Sequence, residues 1–234
     1  MSTGTSADAR RGALVTGAGG ALGRELCRGL AAAGFRVVAA ARKAEDADEV
    51  ARELGDGAGA VALDVTDPAS VRAAVERFPD TDVLINNAGV LLTAGSTPAA
   101  VDLAAVEQEF AVNALGAWRV AQAVLPGMTE RGWGRIVNIS SGTASFTHGL
   151  IAHTPGYTVS KAALNALTVL LAEQTRGTGV LVNAVNPGQL RTRLRPQAPR
   201  LPKEAVDDIV RLVTLPDDGP TGGFFKAGGA TMGW

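Results

Sequence analysis

The amino-acid sequence predicts an α/β protein: a doubly wound, mostly parallel sheet of seven strands, flanked by helices in a three-layer αβα arrangement. Short apolar runs alternate with segments of helical spacing along the chain, which is typical of βα units that form a parallel sheet. A cluster of glycines lies between the first apolar run and the first helical segment, where open α/β sheets bind nucleotides. The length of 234 residues suits one domain with a substantial core.

The predicted elements follow one another without a break. Strands are expected at residues 12–16, 36–40, 59–64, 82–86, 134–140, 180–186 and 222–225. Helices are expected at residues 21–33, 44–54, 68–77, 99–128, 156–175 and 203–213. Asp67 followed by Pro68 marks one helix start, because aspartate caps a helix N-terminus and proline suits the first turn. We therefore expect a flexible lead over residues 1–10 and a single domain over residues 11–234, with a substrate-loop region at about 188–213.

Composition and charge argue against several classes of protein. The formal net charge is -1, with no long run of one sign, so we expect neither a nucleic-acid nor a membrane-surface partner. The apolar stretches are far shorter than the ~20 residues of a membrane span. Residues 1–10 lack the apolar core of a signal peptide, so we expect a cytoplasmic protein. The single cysteine, Cys27, falls in an Ala- and Leu-rich helix and is expected to be an inert buried thiol.

The glycine cluster after the first strand runs from Thr16 to Gly23. Glycines allow a tight turn and let a pyrophosphate approach the helix N-terminus, where free N–H groups and the helix dipole favour an anion. The cluster does not match G-x-G-x-x-G, and a purely structural turn is the alternative. The residues that we expect to bind a dinucleotide are Gly17, Gly19, Gly20, Ala21, Leu22 and Gly23.

The end of the second strand indicates which dinucleotide is bound. A carboxylate there binds the ribose 2′-hydroxyl of NAD, whereas an arginine accommodates the 2′-phosphate of NADP. The strand ends in Ala-Arg42-Lys, with no acid, so the sequence predicts NADP(H), with Arg24 as a candidate second cation. The alternative for Arg42 is an ordinary solvent-facing charge. Asp64 and Val65, after the third strand, are expected beside the adenine, unless Asp64 only begins a loop.

The only tyrosine, Tyr157, precedes Lys161 by four residues at the start of a predicted helix. Positions i and i+4 share a helix face, so both side chains can enter one pocket. A nearby ammonium favours the phenolate and lowers the phenol pKa from about 10. The pair therefore predicts a proton donor for a carbonyl oxygen, the alternative being a solvated contact between the two side chains.

Four further motifs follow in order along the chain. They are Asn86-Asn87-Ala88-Gly89 after the fourth strand, Asn113 in a long helix, Ile139-Ser140-Ser141 at the end of the fifth strand, and Asn186-Pro187-Gly188-Gln189-Leu190-Arg191-Thr192 after the sixth. With the glycine cluster and the tyrosine–lysine pair, they resemble the short-chain dehydrogenase/reductase family, in its compact single-domain subclass, from Gly12 to Trp234. Segment 215–225 is similar to carbonyl-reductase-like members, which mostly use NADPH.

The resemblance implies a Rossmann-type fold and assigns roles to the matching residues. It implies that the catalytic residues are Asn113, Ser141, Tyr157 and Lys161, with Ser141 preferred over Ser140 by register. It implies cofactor contacts from Asn87, Ala88, Gly89, Pro187, Gly188, Leu190 and Thr192, together with Tyr157 and Lys161.

The resemblance also implies a mechanism. A hydride passes from NADPH to a carbonyl carbon, while Tyr157 gives its proton to the oxygen and Ser141 orients that oxygen. Lys161 holds the nicotinamide ribose and lowers the phenol pKa. Asn113 completes a water-linked proton path.

Two departures separate the chain from such relatives. Ala21 stands where the compact subclass has a glycine, so that Gly17, Gly20 and Gly23 have the spacing of the extended subclass. Segment 189–202 lacks the aromatic residue and the Thr-Asp-Met-Gly-Gly of those relatives and contains Arg191, Arg193, Arg195 and Arg200. It is either a lid that attracts an anionic substrate or a solvated basic loop, which is the interpretation that we favour.

The sequence therefore predicts NADPH-dependent reduction of a ketone or aldehyde of a small molecule, such as a secondary metabolite. The alternatives are a same-fold enzyme that acts on C=N or C=C or in a nonredox step, and a non-catalytic NADP-sensing protein. No metal is expected, because His148 and His153, the only histidines, are expected at the surface or in a pocket wall. Relatives pair their long helices, and Leu164, Leu167 and Leu171 form an apolar stripe, so we expect a homodimer or homotetramer. Packing of that stripe on the sheet is the alternative.

Overall fold

A computed structural model describes residues 10–234 of the chain. The flexible lead that the sequence predicts over residues 1–10 therefore lies outside the described residues, except for Arg10. The strands are β1 (Gly12–Thr16), β2 (Arg36–Ala41), β3 (Gly59–Ala62), β4 (Thr81–Asn86), β5 (Gly134–Ile139), β6 (Val180–Asn186) and β7 (Phe224–Lys226). The α-helices are α1 (Ala21–Ala32), α2 (Ala44–Leu54), α3 (Pro68–Arg77), α4 (Leu103–Phe110), α5 (Ala117–Glu130), α6 (Pro155–Gln174) and α7 (Val206–Val213).

All seven strands lie in one sheet, in the order β3-β2-β1-β4-β5-β6-β7. Every neighbouring pair is parallel. The strand order reverses direction between β1 and β4, and ligands of open α/β sheets bind at such a switch point, beyond the carboxyl ends of the strands. The segments after β1, β2, β3, β4, β5 and β6 therefore meet at one edge of the sheet.

The two faces of the sheet have separate apolar cores. Side chains alternate along a strand, so Leu14 lies in one core while Ala13 and Val15 lie in the other. The first core contains side chains of α3, α5 and α6, and the second contains side chains of α1, α2 and α7. Helices thus cover both faces, which confirms the predicted three-layer, doubly wound Rossmann-type fold.

The predicted helix over residues 99–128 is wrong as a single element. It begins only at Leu103, because the side chain of Asp102 accepts a hydrogen bond from Ala104 N and caps the helix there. A π-helical turn, Ala111–Gly116, then separates α4 from α5. Such turns occur frequently at functional sites, and this one contains Asn113. The predicted helix over 203–213 likewise begins as a 3₁₀ turn, Pro202–Ala205, before α7.

The apolar stripe of α6 packs on the sheet. Leu164, Leu167 and Leu171 are buried in the core, so the alternative interpretation of that stripe is the correct one. The outward face of α6 carries other apolar side chains, among them the exposed Val159 and Leu170. No helix within residues 10–234 is long and apolar enough to cross a membrane.

Candidate active site

The glycine loop between β1 and α1 is a tight turn that side chains would block. Gly17 has a φ of +65°, and a Cβ there would lie 3.0 Å from Ala88 Cα. A Cβ on Gly23 would lie 2.3 Å from the carbonyl oxygen of Gly17. The N-cap residue of α1 is Gly20, which has no side chain to accept a hydrogen bond from the helix. The first N–H groups of α1 are therefore not capped by the side chain of the N-cap residue. This local geometry leaves backbone donors available to a phosphate.

The motif after β4 braces the glycine loop across the switch point. The hydroxyl of Thr16 accepts hydrogen bonds from the backbone N–H groups of Asn87 and Ala88, both at 3.0 Å. The side-chain amide of Asn87 donates to the carbonyl oxygens of Thr16 at 2.9 Å and Gly17 at 3.1 Å. Two predicted cofactor residues are thereby fixed to the loop. Thr16 was not singled out from the sequence, and its position directly before the first glycine is the only signal of its role.

Arg42 lies at the end of β2 and is exposed. The pKa of Asp64 is lowered, first by its hydrogen bonds from Thr66 and also by the charge of Arg42, so the ends of β2 and β3 are electrostatic neighbours. The side chain of Asp64 accepts from the N–H of Thr66 at 2.9 Å and from its hydroxyl at 2.7 Å. These are the contacts of a loop aspartate. The adenine contact of Asp64 and the buried Val65 stays a prediction.

Arg24 does not supply the second cation that the sequence suggested. Its guanidinium forms ion pairs with Glu49 at 2.6 Å and Glu53 at 2.7 Å, two carboxylates of α2. The charge of Arg24 is therefore neutralised between α1 and α2. Arg42 is left as the candidate for a 2′-phosphate.

Tyr157 and Lys161 lie on the first turns of α6, as the i and i+4 spacing predicts. Lys161 is buried, and its Nζ lies 5.7 Å from the centre of the Tyr157 ring. The ammonium donates a hydrogen bond of 2.7 Å to the carbonyl oxygen of Ile139, at the end of β5. A Cβ on Gly89 would lie 3.7 Å from Lys161 Nζ, so the loop after β4 passes directly beside the lysine.

Asn113 joins that loop to α6. Its side-chain oxygen accepts from the N–H of Val90 at 2.8 Å, and its amide donates to the carbonyl oxygen of Val90 at 2.9 Å. The same amide donates to the hydroxyl of Ser160 at 3.0 Å. The π-helical turn gives this asparagine its position between two elements of the candidate site.

The two serines after β5 have different environments. Ser140 is buried and donates to the side-chain oxygen of Asn165 at 2.5 Å, so its hydroxyl is part of the packing between β5 and α6. Ser141 is half-buried and accepts from the Thr143 hydroxyl at 3.0 Å, and its hydroxyl lowers the pKa of the Tyr157 phenol. The geometry therefore favours Ser141 as the serine that meets a substrate.

Burial controls the protonation of both titratable side chains. It raises the pKa of Tyr157, and it outweighs the hydrogen bond with Ser141 and the positive charge of Arg195, which lower that pKa. It lowers the pKa of Lys161 to about 8. The phenol pKa is thus raised, whereas the sequence led us to expect that it would be lowered, because burial outweighs the influences that lower it. The phenol is held in the protonated form.

The sequence analysis missed Glu109, four residues before Asn113. This carboxylate is fully buried. It accepts hydrogen bonds from the N–H groups of Leu92 and Thr93 at 2.5 and 2.9 Å. The negative charge of Glu109 raises the pKa of Tyr157. Its i, i+4 relation to Asn113 is the signal that the sequence offered, since it puts the acid near the face that meets the loop after β4.

Segment 189–202 is partly held by its own arginines. Arg200 donates to the carbonyl oxygen of Pro187 at 2.7 Å and forms an ion pair with Asp208 of α7 at 2.9 Å. Arg191 donates through Nε to the carbonyl oxygen of Ala198 at 3.0 Å. The interpretation as a solvated basic loop is therefore wrong for Arg200, which is half-buried and ion-paired, whereas Arg191 is exposed although it is bonded within the segment.

The other two arginines of this segment differ from each other. Arg193 is exposed, as a solvated loop predicts. Arg195 is half-buried, and its charge lowers the pKa of Tyr157, so it faces the candidate site. Among the predicted cofactor contacts after β6, Leu190 is buried, and the Thr192 hydroxyl accepts from Leu194 N at 3.2 Å. Gly188 has a φ of +81°, and its N–H donates to the Asn186 side chain at 3.1 Å.

The sequence analysis also considered the single cysteine and the two histidines. Cys27 is buried, and burial raises the pKa of its thiol to about 12, which keeps it protonated. His148 and His153 are both exposed, and His148 Nδ1 lies 2.9 Å from the Ser145 hydroxyl. Within residues 10–234, no three His, Cys, Asp or Glu side chains cluster as metal ligands.

Comparison with known proteins agrees with this geometry. The family model for short chain dehydrogenase matches residues 11–201. The chain is 38% identical over 198 residues to fluoren-9-ol dehydrogenase from Terrabacter sp. (strain DBF63), and the match covers 76% of this chain and 56% of that protein.

Two solved structures extend the similarity. NADPH-bound carbonyl reductase from chicken fatty liver has a TM-score of 0.85 at 27% identity, over 96% of this chain and 99% of that chain. A 3-ketoacyl-(acyl-carrier-protein) reductase from Brucella melitensis, complexed with NADH, has a TM-score of 0.83 at 26% identity, over 92% of this chain and 96% of that chain. The similar structures thus include complexes with either nicotinamide cofactor.

Proposed function

This chain is a member of the short-chain dehydrogenase/reductase family of oxidoreductases, and we propose that it uses NADPH to reduce the carbonyl group of a small molecule. The observation that carries the proposal is the convergence of Tyr157, Ser141 and Lys161 at the carboxyl edge of the sheet. In this proposal residues 11–234 form one catalytic domain, and the segment over about 188–213 covers the substrate. The cytoplasmic location stays a prediction.

The residues after β1 and β2 fit a dinucleotide with a 2′-phosphate. The turn at Gly17, Gly20 and Gly23 has no Cβ atoms in its path, and the N-terminus of α1 has no capping side chain to compete with a phosphate. Arg42 is exposed and does not belong to the ion pairs that neutralise Arg24. A guanidinium is well suited to a phosphate, because its planar fork can donate two hydrogen bonds. NADP(H) is therefore the proposed cofactor.

The predicted cofactor contacts extend from this turn to the nicotinamide end of the site. We propose that they come from the glycine loop, the ends of β2 and β3, the loop after β4, the tyrosine and lysine of α6, and the segment after β6: Gly17, Gly19, Gly20, Ala21, Leu22, Gly23, Arg42, Asp64, Val65, Asn87, Ala88, Gly89, Tyr157, Lys161, Pro187, Gly188, Leu190 and Thr192.

The nicotinamide supplies a hydride when it is bound, and the side chains supply orientation and a proton. The Tyr157 phenol, whose pKa burial raises, is protonated at neutral pH and can donate its proton to a carbonyl oxygen that is gaining negative charge. Ser141, within reach of the phenol, holds that oxygen by a second hydrogen bond. Such positioned acid catalysis contributes ~10²- to 10⁴-fold.

Lys161 and Asn113 support the proton donor. With a pKa of about 8, Lys161 exchanges protons readily near neutral pH. The ammonium lies beside Gly89, where the nicotinamide ribose is expected. Asn113 holds the loop after β4 against α6 through Val90 and Ser160, which keeps the distance between ribose site and tyrosine constant.

The experiment measures consumption of NADPH and NADH with a panel of ketones, aldehydes, quinones and imines, and identifies the products. We expect reduction of at least one class of C=O compound with NADPH. Reduction of imines alone would indicate C=N chemistry instead. A protein that binds NADPH but reduces no carbonyl compound would refute the proposed function.

We also propose that the chain forms a homodimer or homotetramer. The outward face of α6 and the neighbouring π-helical turn and α5 carry exposed apolar side chains: Val159, Val169, Leu170, Leu115 and Trp118. Light scattering of the wild type tests the assembly. The Leu170→Asp variant is expected to dissociate, whereas Leu194→Asp, in the segment after β6, is the control. A wild type that is monomeric at micromolar concentration contradicts the proposal.

A further inference from the structure

One buried charge has no role in the mechanism proposed above. Glu109 is 0% exposed and lies on a short helix, α4. Its hydrogen-bond donors are neutral: two backbone N–H groups and one hydroxyl. Burying a carboxylate costs free energy unless its lone pairs are satisfied. These three donors therefore stabilise the carboxylate of Glu109 in its buried position.

The donors come from the loop after β4, and they lead to the active-site helix. Glu109 Oε1 accepts from Leu92 N at 2.5 Å and Thr93 N at 2.9 Å, and Oε2 accepts from the Thr93 hydroxyl at 3.0 Å. The same hydroxyl accepts from the backbone N–H of Tyr157 at 3.4 Å. A continuous chain of hydrogen bonds thus runs from the carboxylate through Thr93 to the residue that carries the phenol.

The first turn of α6 also packs directly on this carboxylate. A Cβ on Gly156 would lie 2.3 Å from Glu109 Oε2 and 3.0 Å from Thr93 Cγ2. Only a glycine allows this approach. Because α6 begins at Pro155, the carboxylate sits at the positive end of the helix dipole, which favours an anion.

Glu109 and Asn113 hold the same loop at two successive points. Asn113 binds both backbone groups of Val90 and reaches Ser160 of α6. Glu109 binds the loop at Thr93 and reaches α6 beside Tyr157. The first part of the loop after β4 is thus attached to the catalytic helix at two points, Val90 and Thr93.

We propose that Glu109 is a positioning residue, which acts with Thr93 to fix the first turn of α6, and with it the phenol of Tyr157, relative to the loop after β4. Its relevance to catalysis rests on the proposed function, in which Tyr157 donates the proton. The pKa of Tyr157 is lowered by Ser141 after β5 and by Arg195 in the segment after β6, and it is raised by Glu109 on α4, while Lys161 Nζ lies 5.7 Å from the centre of the ring. Of these, Glu109 alone is negatively charged.

The first test needs no turnover. Tyr157 is the only tyrosine of the chain, so its ionisation can be followed directly through the ultraviolet absorbance of tyrosinate. Glu109→Gln keeps the shape and removes the charge that raises the phenol pKa, so tyrosinate should form at lower pH than in the wild type. Glu107→Gln removes an exposed carboxylate from the same helix and should titrate like the wild type.

The same titration distinguishes a failure of the inference about Glu109 from a failure of the proposed function. Equal phenol titration in the wild type and both variants would overturn the electrostatic part of the inference, that the Glu109 charge acts on the phenol, whatever the enzyme reduces; the Thr93 variants test the positioning role. A wild type that reduces no carbonyl compound would instead refute the proposed function and leave the titration intact. Circular dichroism of each variant checks that the folded protein is being titrated.

The second test removes the link between the carboxylate and the helix. Thr93→Val keeps the shape but deletes the hydroxyl, and it should lower kcat for carbonyl reduction by about tenfold, since a small displacement of a catalytic group is costly. Thr93→Ser restores the hydroxyl and should recover most of that loss, with the NADPH dissociation constant nearly unchanged in both variants. Wild-type kcat in Thr93→Val, or an equal loss in Thr93→Ser, would overturn the positioning role. This pair also serves if Glu109→Gln does not fold.

Discussion

Lys161 gives a quantitative prediction about the stability of the protein without cofactor. Burial lowers the pKa of this lysine from 10.5 to about 8. The difference corresponds to about 3 kcal/mol of destabilisation of the charged form. Lys161→Met removes that cost and also removes the hydrogen bond to Ile139, which stabilises the fold by about 1 kcal/mol. We predict that the variant is more stable than the wild type by about 2 kcal/mol at pH 7.

The pH dependence of the stability difference shows whether the buried lysine charge causes it. Because the folded lysine has the lower pKa, the unfolded chain still holds a proton between about pH 8 and 10.5 that the folded chain has lost. The wild type therefore gains stability relative to the variant as the pH rises through this window. The advantage of Lys161→Met is complete below about pH 8 and is lost by about pH 10.5.

Urea unfolding of the cofactor-free protein, followed by circular dichroism from pH 7 to pH 10, measures this difference. Lys226→Met, which replaces an exposed lysine, is the matched control and should show no such pH dependence. A stability difference between Lys161→Met and the wild type that stays constant with pH would refute the reasoning. So would a variant that is much less stable than the wild type at pH 7.

Two further predictions concern arginines of the site. Arg42→Ala should weaken NADPH binding by about tenfold to a hundredfold and leave NADH binding unchanged, because a charge-assisted contact to the 2′-phosphate is lost. Fluorescence titration measures both affinities. Equal affinity of the wild type for NADPH and NADH would contradict this prediction. Arg195→Gln should raise the pKa of Tyr157, because the charge of Arg195 lowers it. Tyrosinate absorbance measures the change, and Arg193→Gln, in the same segment, should leave the titration as in the wild type.

Local patterns were sufficient to predict most of the fold. Alternation of short apolar runs with helical segments located every strand and most helices, because each element of a doubly wound sheet buries its own apolar face. The i, i+4 spacing of Tyr157 and Lys161 predicted that they would lie close together, because positions i and i+4 share one face of a helix. Sequence register assigned the catalytic role to Ser141, which stays a prediction, and the structure gives Ser140 and Ser141 different partners.

Contacts between distant segments could not be predicted in this way. Arg24 was a candidate second cation because it follows the glycine loop, yet its partners come from α2, 25 and 29 residues further along the chain. Glu109 was not singled out from the sequence, because its i, i+4 relation to Asn113 does not indicate that Leu92 and Thr93 donate hydrogen bonds to it. The direction in which the pKa of Tyr157 shifts depends on burial, which outweighs the neighbouring charges. Burial is a result of packing and cannot be read from the sequence around Tyr157.

The central claim is that the Tyr157 phenol donates the proton to the carbonyl oxygen. The most direct test compares the rate of hydride transfer in a single turnover for the wild type and Tyr157→Phe, each with NADPH already bound. The variant keeps the ring and loses the only proposed donor, so the rate should fall by at least ~10²-fold while the NADPH dissociation constant stays nearly unchanged. A Tyr157→Phe protein that transfers hydride at close to the wild-type rate would contradict the account and assign the proton to another group.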